Sequence, residues 1–319
     1  MIIKKINMID RILNKLGISL NEMQQEAFQS IAHGNKDVVV LSPTGSGKTL
    51  AYLLPLSQLV DAGDDEPQAI VVTPGRELAL QSSTVLKDMG SGLRAMACYG
   101  GRAAMDEHRV LKQVRPQIIF GTPGRLNDHL SKGNFSPYHI KYLVIDEFDK
   151  CLEMGFQDEM SRLIQSLPGL RRHFLLSATE AEEIPRFVHM GRVEKIDYRM
   201  DEEQVPERVH IYKVESPVKD KLESLGRLLR SLGETSTIVF LNYRDSVERT
   251  NNYLVEQGFS TSFFHGGLEQ KEREASLYRF SNGSANILVS TDLASRGLDI
   301  PDIDNIIHYH IPESEDGYI

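Results

Sequence analysis

A chain of 319 residues, 40% hydrophobic and 25% charged, has the make-up of an ordinary soluble globular protein and the length for about two domains, each with its own core. Its 36 lysines and arginines against 45 acidic residues give a net charge of −9, which excludes broad basic coating of nucleic acid and allows only a narrow groove lined by a few arginines. No apolar run approaches the roughly 18 residues of a membrane span, Met1 to Asp10 lacks the apolar stretch of a signal peptide, and Cys98 and Cys151, without metal-ligand spacing, point to a reducing, cytoplasmic setting.

Along the chain, Ile9, Ile12, Leu13 and Leu16 fall at helical spacing and predict a short first helix. Leu20 to Ile31 predicts a second, with Asn21 as a cap near its start. The apolar run Val38 to Leu41 then predicts a strand and Ser42-Pro43-Thr44-Gly45-Ser46-Gly47-Lys48-Thr49 a glycine-rich turn. Leu50, Leu53 and Leu54 predict a following helix, which Pro55 should kink or divide. Such a turn bares backbone N–H groups at the positive end of a helix, where a polyphosphate can sit. Gly45 and Gly47 permit the positive φ and close backbone approach that this needs. Lys48 can reach the β- and γ-phosphates of a nucleotide, and the Thr49 hydroxyl can coordinate Mg²⁺. Ser42 stands where the P-loop pattern asks for glycine, yet the Gly-Lys-Thr ending, the strand and the helix agree on an NTPase.

Asp61 to Gln68 is a polar, acidic loop, and Ala69 to Thr73 is the next predicted strand. It ends in Pro74-Gly75-Arg76-Glu77-Leu78, where a helix begins with Leu78, Val85 and Leu86 on one face. Ala95 to Tyr99 is closed by Gly100-Gly101, and Gln117 to Phe120 by Gly121-Thr122-Pro123-Gly124-Arg125. Tyr142 to Ile145 runs into Asp146-Glu147-Phe148-Asp149, and His173 to Leu176 into Ser177-Ala178-Thr179. This grammar of short apolar strand, polar segment and helix predicts an α/β protein with a parallel sheet flanked by helices and ligands beyond the carboxyl ends of its strands. Arg199 to Arg208 is acidic, contains Pro206 and reads as a hinge, so that residues 1–200 form a first domain, 201–208 a linker and 209–319 a second domain. There the pattern restarts, with helices near Lys219 to Leu232, Asp245 to Gln257 and Gln270 to Phe280. Strands are predicted at Thr237 to Leu241, Thr261 to Phe264, Asn286 to Ser290 and Asn305 to His308. This second domain has no phosphate turn and is expected to complete a site rather than hold one alone.

An Asp-Glu pair at a strand end is, by itself, more often a solvated loop than a site. Placed in the same βα sheet as a P-loop, Asp146 suits a Mg²⁺ held opposite Thr49, and Glu147 can orient and deprotonate the attacking water.

The ordered series Gln24, SPTGSGKT, PGREL, GG, TPGR, DEFD, SAT, HGGLEQKER and TDLASRGLD resembles the DEAD-box family of ATP-dependent RNA helicases, from about Ile6 to Ile319. The resemblance implies two RecA-like domains, the second incomplete, that close on ATP, Mg²⁺ and RNA together and couple RNA-stimulated ATP hydrolysis to local unwinding of short duplexes. It implies that Gln24 reads the adenine, whose N6 and N7 a side-chain amide can pair. Thr44, Gly45, Ser46, Gly47, Lys48 and Thr49 would wrap the phosphates, with Asp146 on the metal and Glu147 on the water. Asp149 would bond to Ser177 or Thr179 and so link the ATP site to the RNA face, while Gly297 and Asp299 would reach the nucleotide from the second domain. RNA would lie on Pro74, Gly75, Arg76, Gly101, Thr122 and Arg125 of the first domain and on Gly266, Gln270, Arg273 and Thr291 of the second. Such backbone contacts carry little sequence preference. For each arginine the alternative is a surface salt bridge; Arg125 and Arg273 rank highest, then Arg76.

Four departures from the family pattern stand out. Phe148 replaces the Ala of DEAD, Gly75 replaces the usual Thr of PTREL, and no aromatic precedes Phe28 to pack on an adenine. The chain also stops at Asp316-Gly317-Tyr318-Ile319, where the family continues into HRxGRxGR with its arginine finger, so a piece of a longer protein with impaired hydrolysis is expected. Two alternatives remain at this point: a nucleotide-gated RNA-binding clamp that scarcely hydrolyses ATP, and a DNA helicase of the same superfamily. A monomer without membrane contact is expected, and protein partners are not legible.

Overall fold

The computed structural model describes the backbone of residues 2–100, 104–179, 184–199, 210–291 and 303–311, and the side chains of the same residues apart from 2–7 and 104. Gly101, Gly297, Asp299, the linker 201–208 and residues 312–319 lie outside the described residues. The chain divides into two units, residues 1–204 and 205–319.

In the first unit α1 (Ile2–Leu16) and α2 (Glu22–His33) precede β1 (Asp37–Leu41), α3 (Lys48–Leu59), β2 (Ala69–Val72), α4 (Arg76–Met89) and β3 (Ala95–Cys98). The alternation continues through α5 (Ala104–Val114), β4 (Ile118–Gly121), α6 (Pro123–Ser131), β5 (Tyr142–Ile145), α7 (Phe148–Glu153), α8 (Gln157–Gln165), β6 (Arg172–Ser177) and β7 (Val193–Asp197). The strands make one seven-stranded parallel sheet, in the order β3-β4-β2-β5-β6-β1-β7. Alternation of side chains along β1 divides its apolar run between two cores. Val38 and Val40 join a cluster with residues of α1 to α4, and Val39 and Leu41 join one with residues of α5 to α8.

Helix α2 starts at Glu22 rather than Leu20, because Asn21 and Gln24 form a reciprocal capping box: the Asn21 side chain accepts from the Gln24 N–H, and the Gln24 side chain from the Asn21 N–H. At its other end the buried Arg172 guanidinium donates to the carbonyls of Ser30 and Ile31 in the last turn and of Lys36 beyond it, joining β6 to the C-terminal end of α2. Helix α3 is not divided at Pro55: it runs unbroken from Lys48 to Leu59. Leu53, Leu54 and Leu56 around the proline are at most 1% exposed, and their burial outweighs the about 3 kcal/mol cost of an interior proline. Strand β7 was not predicted from the sequence. It is an edge strand with a single fully buried residue, Ile196, so Val-Glu-Lys-Ile-Asp carries no apolar run.

The second unit contains α9 (Leu222–Leu232), β8 (Thr237–Phe240), α10 (Arg244–Glu256), β9 (Thr261–Phe264), α11 (Gln270–Ser281), β10 (Ile287–Ser290) and β11 (Asn305–His308). Its strands are parallel in the order β11-β8-β10-β9. One core cluster gathers Leu225 and Leu229 of α9 with Val247 and Leu254 of α10, and the other holds Phe280 of α11. Among the described residues no helix is long and apolar enough to cross a membrane.

Candidate functional site

Parallel register brings the polar segments of the first unit to one rim. Leu41 pairs with Ser177, Ile145 with Leu175 and Val72, Val72 with Gly121, and Gly121 with Cys98, so the segments after β1, β6, β5, β2, β4 and β3 all leave from the carboxyl edge.

The turn after β1 adopts the conformation that its glycines permit. Gly45 has φ 78° and Gly47 φ 85°, with Gly47 the N-cap of α3. A Cβ at Gly47 would lie 2.3 Å from Gln24 Nε2, because the Gln24 amide packs on the loop and donates to the Gly47 carbonyl at 3.1 Å. Gln24 is thus buried between the start of α2 and the P-loop. Lys48 Nζ donates to the Ser42 and Pro43 carbonyls at 2.7 and 2.8 Å, and the Ser42 and Ser46 hydroxyls bond to each other at 2.7 Å. Burial holds the Lys48 ammonium below the usual lysine range, against the opposing pull of Asp146, Glu147 and Asp149.

Asp146 follows β5 and is only 2% exposed. Burial pushes its carboxyl up to about 6, against the attraction of Lys48 and the N–H of Glu147, which donates to Asp146 Oδ1. Glu147 is pushed up to about 7, by burial first and then by the charges of Asp146 and Asp149. It sits in the left-handed region at φ 50°, as N-cap of α7, and its buried Oε2 has no hydrogen-bond partner. Asp149, on the first turn of α7, accepts through Oδ2 from the Ala178 N–H, the Thr179 N–H and the Thr179 hydroxyl. The Ser177 hydroxyl goes instead to the Thr179 carbonyl. The structure therefore brings Gln24, the P-loop, Asp146, Glu147 and the Asp149–Thr179 link together on one side of the rim.

Pro74, Gly75 and Arg76 occupy the turn into α4, with Gly75 as N-cap, and Thr122 is the N-cap of α6. They follow β2 and β4, on the β3 side of Asp146. Arg76 leans toward the glycine turn after β3, its guanidinium 3.5 Å from a Cβ built on Gly100. Arg125 is committed internally: its Nε donates to Glu107 Oε2 at 2.7 Å, and its side chain is 14% exposed. Glu107 also bonds to His129 Nε2 at 2.8 Å and accepts from the Tyr99 N–H. Sequence reasoning missed Glu107 and His129 altogether, because no motif signal marks a partnership that exists only once α5 and α6 pack. Cys98 lies near them, and the three offer ligand atoms within 4.8 Å of one another. Arg125 and His129 already occupy Glu107, and burial drives the Cys98 thiol far above its usual range, so the cluster is an internal ion-pair network rather than a metal centre.

In the second unit Gly266 follows β9 and Thr291 follows β10, both at the carboxyl rim of that sheet. Gln270 opens α11 after a Glu269–Glu272 capping box, and the Arg273 guanidinium lies over the Phe264 ring at 5.5 Å.

The family model described as DEAD/DEAH box helicase matches residues 21–187, and that described as helicase conserved C-terminal domain matches residues 220–319. The ATP-dependent RNA helicase CshA of Limosilactobacillus reuteri is 35% identical over 301 residues, covering 93% of this chain and 60% of that protein. The ATP-dependent RNA helicase DbpA of Escherichia coli is 38% identical over 307 residues, covering 94% of this chain and 66% of that protein. The chain therefore spans 60% and 66% of the length of these two relatives. Dbp5 of S. cerevisiae, solved bound to RNA and ADP BeF3, superposes with a TM-score of 0.84 at 25% identity, over 97% of this chain and 80% of that one. The two parallel α/β units match the RecA-like architecture expected from the sequence.

Proposed function

Because the chain belongs to the DEAD-box helicase family, we propose that it is the core of an ATP-dependent RNA helicase, in which RNA-stimulated ATP hydrolysis drives local separation of short duplexes. The observation that carries this reading is the meeting of Lys48, Asp146 and Glu147 at one rim, joined through Asp149 to the Ser177-Ala178-Thr179 turn. On this reading residues 1–200 are the ATP-binding domain, 201–208 the linker and 209–319 the second helicase domain.

The residues present fit a nucleotide and a divalent cation. Lys48 satisfies itself on two carbonyls of its own loop, the buried Asp146 carboxylate stands among the acidic charges of Glu147 and Asp149, and Glu147 Oε2 is a buried acceptor without a donor. The backbone from Thr44 to Thr49 would cradle the phosphates, with Lys48 on their outer oxygens and Gln24 beside the adenine. Thr49 and Asp146 would hold Mg²⁺, which when bound neutralises charge developing on the transferred phosphoryl group. Glu147, pushed up to about 7, titrates where a general base works best and would take the proton of the attacking water. Asp149 holds Ala178 and Thr179 through three hydrogen bonds, so a shift of α7 moves that turn with it.

RNA would follow the segments after β2 and β4, through Pro74, Gly75, Arg76 and Thr122, and continue on Gly266, Gln270, Arg273 and Thr291 of the second domain. Arg125 would act chiefly by bracing the Thr122 turn from beneath, through its pair with Glu107. Contacts to backbone would give little sequence preference. The test is ATP turnover by the full-length protein, with and without single-stranded RNA. Stimulation by RNA and not by DNA is expected; turnover indifferent to RNA, or raised equally by DNA, would overturn the proposal.

A further inference from the structure

Tyr52 lies one helical turn beyond Thr49 on α3 and is fully buried. Its hydroxyl comes within reach of Ser82, Asp146 and Thr49, yet it meets no partner at hydrogen-bonding geometry. Ser82 Oγ, on the neighbouring α4, is likewise buried and without a partner. The Tyr52 hydroxyl thus stands within reach of the carboxylate that ends β5, with the orphaned Ser82 hydroxyl next to it. A buried hydroxyl with no partner is a standing cost to the folded chain, and phenylalanine would fill the same volume without it. A tyrosine is justified here only if a state exists in which its O–H is used.

We propose that Tyr52 is a positioning residue for Asp146: its hydroxyl, backed by Ser82, donates to the Asp146 carboxylate and fixes the orientation in which that carboxylate meets the divalent cation of bound nucleotide. The inference rests on the proposed nucleotide site and deepens it. Carboxylates that ligate metals are oriented by outer hydrogen bonds, and loss of such a partner weakens metal binding about 10–100-fold. The arrangement also ties the cation side of the site to α4, whose first residues are the proposed RNA segment.

The experiment is a fluorescence titration with an unhydrolysable ATP analogue, in EDTA and in saturating Mg²⁺, on wild type, Tyr52→Phe and Ser82→Ala. Mn²⁺ affinity of the analogue-bound proteins is read separately by electron paramagnetic resonance. Tyr52→Phe is expected to bind the analogue in EDTA as wild type does, to lose about tenfold of the tightening that Mg²⁺ brings, and to bind Mn²⁺ correspondingly more weakly. Ser82→Ala shifts the same two readouts in the same direction by less. Equal Mg²⁺ tightening in wild type and Tyr52→Phe would overturn the inference, as would a loss of the same size in EDTA, which would mark the ring as packing only. A wild type that binds no analogue would overturn the nucleotide-site reading itself. A melting temperature of ligand-free Tyr52→Phe no lower than that of wild type separates these outcomes from misfolding.

Discussion

Lys48 and Glu147 are held in arrangements that a nucleotide bound as proposed would alter. The ammonium of Lys48 makes two short bonds to its own loop, so an entering phosphate would exchange these carbonyl partners for charged oxygens. A charge-assisted hydrogen bond contributes about 1.5–3 kcal/mol, and two of them lost make Lys48→Ala bind nucleotide at least about a hundredfold more weakly. Equal nucleotide affinity in wild type and Lys48→Ala, by titration with a fluorescent analogue, would refute the placement of phosphates here. Glu147→Gln keeps shape and position while removing the base, so it should retain ATP and stall turnover. A variant that hydrolyses ATP at the wild-type rate would assign the proton to another group. Gly47 is constrained from two sides, by φ 85° and by the Gln24 amide where a Cβ would go. Gly47→Ala should therefore disturb both the phosphate loop and the cap of α2.

Helices α5 and α6 are joined by a device that the amino-acid pattern does not announce. Burial pushes the Glu107 carboxyl up, but hydrogen bonds from His129, Arg125 and the Tyr99 N–H outweigh it and hold the group below its usual 4.5. A carboxyl whose folded value is depressed adds stability above its unfolded value and loses it as pH falls through the folded one. Urea unfolding should then show wild type losing stability below about pH 4.5 more steeply than Glu107→Gln, with the gap between them largest near neutrality. Glu107→Ala, which leaves Arg125 and His129 facing a buried gap, should cost about 3 kcal/mol at pH 7. Two parallel acid limbs would show that Glu107 does not carry this linkage. The strands of the first unit were legible because an apolar run ending in glycine or a polar cluster marks each carboxyl edge, and the phosphate loop was legible because Gly-Lys-Thr follows such a run. Edge strand β7, mostly exposed and carrying three charged residues in five, offered no such run. The Glu107 network stayed hidden for a different reason: its members are ordinary helix residues until β3, α5 and α6 meet in space. Pro55 does not end α3, because the packing around it outweighs its local propensity.

Across the whole molecule, a net charge of −9 sets how RNA could be held on the proposed reading. Long-range attraction is unfavourable, so affinity must come from a few arginines close to phosphates and should collapse as salt rises. Each phosphate neutralised on a single strand contributes a slope of about −0.7 to log K against log salt. Of the three arginines singled out in the sequence, Arg125 is neutralised by Glu107, and Arg76 and Arg273 sit near the carboxyl ends of β2 and β9. Arg76→Gln and Arg273→Gln should each reduce the steepness of the slope by about 0.7, measured by anisotropy with labelled single-stranded RNA over a range of salt. Replacing Glu107 and Arg125 together by Gln removes an internal pair of zero net charge, so affinity can fall through loss of the Thr122 brace while the slope stays as in wild type. If the double replacement lowers the slope as much as Arg76→Gln does, Arg125 leaves Glu107 to meet RNA, and the internal pair would be a latch that opens on binding.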